Sequence, residues 1–352
     1  MASTLRLGVV GLGSIGRIHV KSFRTVPGVE VAAVAEIDQK RADALGEEYN
    51  IPLRYGDYRK MLKEAELDAI TVCVPNYLHC PVAVAGLKAG CHVMVEKPPA
   101  MSVKEVKLMA ATAKEVGKTM MVAFCFRFRA ETQKAKNLIE QGSLGEVYHA
   151  RVTATRRRGI PGLGGWFTSK KQGGGGPLLD IGVHVMDTAL YLMGYPEATH
   201  ACGQTYRKFG HRDDYSYTGM WGTRVPGGPF QVEDLCSAFV RFKNGTTMTV
   251  EASWAAELKP ELKVEIMGDK GGVLLVPGEK PPLTVFTQHG DTVVDEIPML
   301  KDVDGYAAEA AHFVDCIRTK KRPMSHIETG LHVQRVIDGI YKSAKAGKEV
   351  KL

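Results

Sequence analysis

Leu5-Arg6-Leu7-Gly8-Val9-Val10-Gly11-Leu12-Gly13-Ser14-Ile15-Gly16 is a short apolar run that stops at a glycine and continues as G-x-G-x-x-G. The run reads as a buried strand, and the residues from Gly13 to about Thr25 read as a helix. A glycine hexamer alone says little, but one that leaves a strand and opens a helix is the context in which a dinucleotide pyrophosphate is held. Gly11 can make the tight turn, Gly13 lets the backbone approach the phosphates, and Gly16 allows close packing of the helix. The helix start, with Ser14 and Ile15, offers N–H groups and a positive dipole end. Such a loop expects an acidic residue at the end of the second strand to accept from the adenosine ribose hydroxyls. Glu36 stands 20 residues after Gly16, with Ile37 and Asp38 following it. A carboxylate there repels a 2′-phosphate, so NAD is expected in preference to NADP. Arg41 is the nearby cation that weakens the repulsion.

The alternation continues outward from this stretch. Val29–Ala35 reads as a strand, 39–49 as a helix, 57–63 as a short helix, 69–74 as a third strand closed by Pro75, and 81–89 as a helix stopped by Gly90. A strand at 91–95, a helix capped by Ser102 and a strand at 119–124 complete the series. Strands alternating with helices at this spacing imply right-handed crossovers and a parallel sheet. Ligands then sit beyond the carboxyl ends of the strands. Pro75, Asn76 and His79 follow the third strand. Glu96, Lys97 and Pro98 follow the fourth, and Arg127 follows the last. Lys97-Pro98 is a candidate cis bond.

A chain of 352 residues suits two domains. At 44% hydrophobic and 24% charged it is a packed globular protein. The net charge of +7 is spread along the chain, with Arg156-Arg157-Arg158 a dense run, and no basic stripe with interleaved aromatics occurs, so nucleic acid is not an expected partner. Seven cysteines without a CxxC pair argue against a disulfide framework and a zinc site; no metal is expected. The N-terminus has no leader pattern and no apolar run approaches the ~20 residues of a membrane span, so a cytoplasmic protein is expected.

Four passages together resemble the Gfo/Idh/MocA family of glucose–fructose oxidoreductase and inositol dehydrogenase. They are the glycine loop, Pro75-Asn76-Tyr77-Leu78-His79, Glu96-Lys97-Pro98, and Gly173–Gly194, GGGGPLLDIGVHVMDTALYLMG. They occur in the family's order and spacing, the last about 75 residues after the EKP tripeptide. The resemblance implies an N-terminal Rossmann doubly wound parallel sheet (1–124). It also implies a C-terminal α/β domain with a large open, mostly antiparallel sheet (125–352), which holds substrate and oligomerises. The C-terminal helices are free to pack back on the first domain. The later sequence agrees: 146–156, 232–242, 246–254, 262–267 and 272–276 read as strands in series, Asn244-Gly245 is a hairpin signal, and 306–319 and 328–346 read as helices.

Oxidising a secondary alcohol needs a base for the hydroxyl proton and a positive group near the oxygen. The resemblance gives Lys97 the second role and places Asp180 and His184, four apart, on the substrate with His184 as acid/base. If a helix begins near Gly182, Asp187 lies one turn beyond His184 and is placed to orient its imidazole. On spacing alone, the reading of Asp180 as an N-cap and His184 as a packed helix residue wins; the resemblance reverses it. The resemblance puts Asn76 near the nicotinamide and its ribose; Pro75, His79, Glu96, Lys97 and Arg127 are counted with the cofactor contacts. Phe126 stands where the family usually has Tyr. Trp166 can stack on a sugar ring, and Arg156, Arg158 and Lys170 can reach its hydroxyls. The long stretch 206–234, with His211, Asp213, Asp214, Tyr215, Tyr217, Trp221 and Arg224, reads as a binding loop or lid as readily as a surface loop.

The expected activity is hydride transfer between NAD and a secondary hydroxyl of a sugar, a glycoside (at C3 of a glucoside) or a cyclitol. Two alternatives stay open: a glycosidase that keeps and recycles its NAD, and a sensor that binds NAD(H) and sugar without turnover. A small carbohydrate or polyol is the expected partner, with a homo-oligomer, dimer or tetramer, implied by the resemblance.

Overall fold

The computed structural model of the protein describes residues 4–352. The chain forms two compact units, one of residues up to Cys125 with Asp304–Leu331, the other of Phe126–Val303 with His332–Leu352. The first unit thus changes to the second after Cys125, and a late helix is counted with the first.

The first unit runs β1 (Leu5–Val10), α1 (Ser14–Arg24), β2 (Val29–Ala35), α2 (Gln39–Glu48), β3 (Leu53–Tyr55), α3 (Tyr58–Glu64), β4 (Ala69–Val72), α4 (His79–Lys88), β5 (His92–Glu96), α5 (Val103–Val116) and β6 (Met120–Ala123). Its six strands are all parallel, in the order β3-β2-β1-β4-β5-β6. Helices on both faces bury such strands completely, which is why every residue of β4 and β6 is buried and only Thr71 among them is polar. The order of connections reverses between β1 and β4, and ligands of doubly wound sheets bind at that crevice. Three details differ from the sequence expectation. β3, a three-residue, half-exposed edge strand, carries too little apolar pattern to be read. The third expected strand ends at Val72 rather than 74. The helix expected at 81 begins at His79.

The second unit contains α6 (Ala130–Glu140), β7 (Val147–Thr155), the single turn α7 (Lys170–Gly173), α8 (Val183–Leu192), β8 (Ala198–Tyr206), β9 (Leu235–Phe242), β10 (Thr247–Ser253), β11 (Glu261–Gly268), β12 (Gly272–Leu275), β13 (Leu283–His289) and β14 (Thr292–Glu296). After these come α9 (Gly305–Thr319), α10 (Ile327–Ala346) and β15 (Val350–Lys351). The sheet order is β14-β13-β12-β11-β7-β10-β9-β8-β15. Every pairing is antiparallel except β7 with β10. The β9–β10 hairpin turns at Gly245, φ +88°, as its Asn-Gly pair predicts. α8 is buried along almost its whole length and lies over β7 and β11. Strands such as β9 alternate buried with exposed, so one face of the sheet is core and the other is polar and open.

α9 is the segment that returns to the first unit. Phe313 meets Phe23 of α1 edge-on, with ring centroids 6.2 Å apart, and Arg318 Nη2 donates to the carbonyls of Pro27 and Gly28 at 2.8 Å.

Candidate active site

The glycine loop is built around close backbone approaches. Gly11 has φ +88°, and a Cβ there would collide with the Cys73 carbonyl at the end of β4. A Cβ on Gly16 would collide with the Gly11 carbonyl, whereas a Cβ on Gly13 would meet nothing within 4 Å. Space is thus open over Gly13, where α1 begins with no side-chain cap. The first N–H groups of a helix lack intrahelical acceptors, so this end has donors, positive dipole and room: the residues fit a dinucleotide pyrophosphate.

Glu36 is buried at the end of β2 and does more than await a ribose. Its Oε2 accepts from the Leu12 N–H at 2.7 Å and its Oε1 from the Asp38 N–H at 3.1 Å. Arg41 lies 3.4 Å from Glu36 and 3.3 Å from Asp38. A carboxylate has about four acceptor positions, so capacity for hydroxyls remains after these bonds. Arg41 is already matched by two carboxylates, which weakens its case as a receptor for a 2′-phosphate. Ile37 is 93% exposed, a large apolar surface beside the Glu36 carboxylate.

Lys97 is half-buried after β5, and its peptide bond to Pro98 is cis, as its place before proline allows. Its N–H donates to Glu96 Oε2 at 3.0 Å. The other Glu96 oxygen lies 2.8 Å from Nε2 of His19, whose Nδ1 meets Thr71 Oγ1 at 2.8 Å. Glu96 is 5% exposed and supports the backbone beneath Lys97. His79 supports the same segment. It is 1% exposed, with its ring nitrogens 2.7 Å from the Pro98 carbonyl and 2.8 Å from the Val74 carbonyl. Pro75 and Asn76 lie at the start of a 3₁₀ turn beyond β4 and are half-buried.

In the second unit the glycine run lets the chain pass through tight quarters. Gly174 has φ +82°. A Cβ on Gly175 would collide with the Tyr341 hydroxyl and one on Gly176 with the Glu233 carbonyl. The run delivers a π-helical turn, Leu178–Gly182, that leads directly into α8. Asp180 therefore sits inside this turn rather than capping the helix. It is 6% exposed, and its Oδ2 accepts from the indole N–H of Trp254 at 2.8 Å. Arg156 Nη1 lies 3.9 Å from the same oxygen, and the Arg156 guanidinium stacks 4.4 Å from the Trp221 ring centroid. Trp221 comes from the long 207–234 connection. That connection is tied to the 162–168 segment by Gly162 N–H to Trp221 O at 3.0 Å, Val225 N–H to Leu163 O at 2.8 Å and Gln231 N–H to Thr168 O at 2.8 Å.

His184 stacks on Phe126, ring centroids 4.7 Å apart and planes 24° apart. Asp187 does not orient it. The Asp187 carboxylate takes a bidentate pair from Arg127 at 2.8 and 2.5 Å, and both side chains are at most 1% exposed. Arg127 is expected from the sequence to contact the cofactor. It lies instead at the bottom of the second unit's core, its guanidinium carbon 5.4 and 5.3 Å from the Tyr191 and Tyr195 rings. A buried guanidinium demands a carboxylate, and Asp187 supplies it.

Residues 5–124 match the family model described as oxidoreductase family, NAD-binding Rossmann fold, and residues 132–274 match the GFO/IDH/MocA C-terminal domain. The chain is 31% identical over 355 residues to D-glucoside 3-dehydrogenase of Escherichia coli (strain K12), covering 100% of the chain and 98% of that protein.

The protein belongs to the Gfo/Idh/MocA oxidoreductase family.

It is also 26% identical to scyllo-inositol 2-dehydrogenase (NAD(+)) of Bacillus subtilis (strain 168), over 92% of the chain and 89% of that protein. Its fold is that of aldose-aldose oxidoreductase from Caulobacter crescentus, solved with glycerol, at a TM-score of 0.83 and 27% identity over 99% and 100% of the two chains. As a Gfo/Idh/MocA oxidoreductase the protein binds NAD through its first unit.

Of the expected substrate residues, the second unit brings Asp180 and Arg156 together, and adds two that the sequence did not single out. Trp254 ends a strand and showed only as a strand residue; Trp221 was one of several polar and aromatic residues in the long connection. Trp166 stacks on Phe167 with centroids 3.7 Å apart. Arg158 is paired with Glu257 and packs on Phe209 and Tyr215, and Lys170 lies 4.9 Å from the Tyr341 ring. Among the described residues no cluster of His, Cys, Asp and Glu is arranged to hold a metal ion, and no helix is long and apolar enough to cross a membrane.

Proposed function

We propose that this oxidoreductase removes hydride from a secondary hydroxyl of a sugar, glycoside or cyclitol, with C3 of a glucoside as the favoured position. The observation that carries this reading is the construction around Asp180. A buried carboxylate is fixed by the Trp254 indole N–H and flanked by an Arg156–Trp221 stack. A fixed carboxylate accepts from sugar hydroxyls, and an indole or guanidinium plane covers the apolar face of a sugar ring. The similarity to D-glucoside 3-dehydrogenase extends along the whole chain and favours the glucoside.

Bound NAD supplies the hydride acceptor. In this reading the Gly11–Gly16 loop and the start of α1, with Ser14 and Ile15, receive the pyrophosphate. Glu36 receives the ribose hydroxyls, Ile37 covers the adenine, and Pro75 and Asn76 serve the nicotinamide end. Lys97 bears the positive charge that a developing alkoxide needs, and His184 takes the hydroxyl proton, since imidazole exchanges protons near neutral pH. Asp180 and Arg156 orient the sugar. Stacking on Phe126 fixes the plane of the His184 ring. We also assign the protein to the cytoplasm and to a homo-oligomer, supported respectively by seven unpaired cysteines and by the open polar face of the second unit's sheet.

Purified protein mixed with NAD and a panel of glucosides, free sugars and inositols tests the reading, by absorbance at 340 nm with mass analysis of products. A rising signal and a two-hydrogen loss on the glucosides are expected. Conversion of substrate without accumulating NADH would replace the reading with a cofactor recycled in place, and NAD binding with no turnover would replace it with a sensor.

A further inference from the structure

Lys97 carries a single ammonium on a flexible four-carbon stem. What fixes its reach is the backbone it grows from, and that backbone is gripped from both sides by buried histidines. His19 is 2% exposed and stands on α1, the helix that opens at the glycine loop. Its ring is clamped between Thr71 Oγ1 and Glu96 Oε1, each at 2.8 Å, and the other Glu96 oxygen receives the Lys97 N–H at 3.0 Å. His79, at the start of α4, lies 2.7 Å from the Pro98 carbonyl, just past Lys97, and 2.8 Å from the Val74 carbonyl. One histidine thus leads from the end of β4 and the pyrophosphate helix to the N–H of Lys97. The other leads from the loop after β4 to the carbonyl that follows it.

We propose that His19, acting through Glu96, is a positioning residue that sets Lys97 for the reaction and ties its placement to the helix that receives the dinucleotide. Stability is a poor reason for this arrangement. Replacing a buried His–Glu pair by apolar side chains of similar volume is often neutral or favourable to folding. The pair does give direction: Glu96 bonds the imidazole with one oxygen and a backbone amide with the other, so rotation of either partner breaks a bond. A reacting group displaced by about 1 Å loses about 100-fold in rate. The inference rests on the reading of Lys97 as the group that stabilises the alkoxide.

The test compares wild type with H19L, H19Q, T71V and K97A, using methyl glucoside and NAD for kcat and KM, NADH fluorescence for cofactor affinity, and thermal melting for integrity. A second readout needs no substrate: the rate at which trinitrobenzenesulfonate modifies Lys97 in the NADH complex, followed by peptide mass. H19L is expected to lower kcat by about 10- to 100-fold, with KM and NADH affinity within about twofold, and to change the Lys97 modification rate while other lysines keep theirs. H19Q, whose amide can still donate to Glu96, is expected to restore both. T71V removes a hydroxyl without opening a cavity and is expected to give a smaller change of the same kind, which keeps the test decisive if H19L does not fold. Unchanged kcat and unchanged Lys97 reactivity in H19L and T71V would overturn the proposal. So would a parallel loss of melting temperature, NADH affinity and kcat that H19Q does not rescue. K97A with wild-type kcat would instead sink the reading of Lys97, whatever the histidine variants do.

Discussion

The indole N–H of Trp254 donates to the Asp180 carboxylate at 2.8 Å, from a side chain with no exposed surface to one 6% exposed. Their separation of 74 residues hides the bond from the sequence, yet it fixes the carboxylate assigned to hold substrate. W254F keeps most of the packing and removes the donor. A hydrogen bond to a charged group contributes about 1.5–3 kcal/mol, so kcat/KM on the glucoside should fall about 10- to 150-fold, with NADH affinity unchanged. Steady-state kinetics beside NADH fluorescence titration check this; unaltered kcat/KM would remove Trp254 from the account.

The Arg127–Asp187 pair is placed by the structure as a support of the second unit's core. Breaking a fully buried pair from one side costs about 3–5 kcal/mol, because the remaining charge has no partner. R127A and D187N should each melt well below wild type. The double variant R127M/D187L should regain most of the loss, since matched apolar residues tolerate such a site. If R127A melts normally but loses NAD affinity, the cofactor role read from the sequence returns.

Lys97 and His184 are assigned to chemistry rather than cofactor binding. K97A and H184A should each lower turnover about 10²- to 10⁴-fold, the range for a positioned acid–base or charged group, while NADH affinity stays nearly intact. Equal losses of NADH affinity in both would mean that neither is at the reacting atoms.

The buried His19–Glu96 pair has a pH signature. Burial opposes the His19 charge, but the Cys73 sulfur and the Glu96 carboxylate outweigh it and hold the imidazolium well above its ordinary range. Burial likewise opposes the Glu96 charge, and the bond from His19 reverses this and lowers its pKa. A raised histidine contributes stability in full below its unfolded value near 6.5 and loses it as pH rises through the folded value. A lowered glutamate contributes above its unfolded value near 4.5 and loses this as pH falls through the folded value. The melting-temperature gap between wild type and H19Q should therefore be widest between these two values and narrow as the solution is made alkaline. A gap that widens with rising pH would contradict the charge assignment.

The first unit was legible because parallel strands buried on both faces leave largely apolar runs, and because Gly11 and Gly16 each answer a close backbone contact while Gly13 stands in open space. The second sheet was half legible. β8, β13, β14 and β15 escaped because they are mostly half-exposed; Thr292–Glu296 has no buried residue at all. α6 also went unread. At the site, spacing put Asp187 beside His184 on one helix, but spacing does not reveal a partner from elsewhere, and Arg127 arrives from 60 residues away. Glu96, His79 and Arg127 stand just after strands, where cofactor contacts are expected, and their bonds to backbone or to a buried carboxylate have no local signal. His19 is hidden in the same way: a histidine in the second turn of a helix has no local pattern that points to Glu96.

In the proposed reaction hydride leaves a carbinol carbon of the sugar for NAD. Methyl glucoside carrying deuterium only at C3, incubated with the protein and NAD, reports on this step through the mass of the reduced cofactor. NADH heavier by one mass unit is expected, together with a 3-keto glucoside. Unlabelled NADH would move the oxidised carbon elsewhere on the sugar, and bound NAD that is never reduced, with the glucoside recovered unchanged, would contradict the proposed reaction.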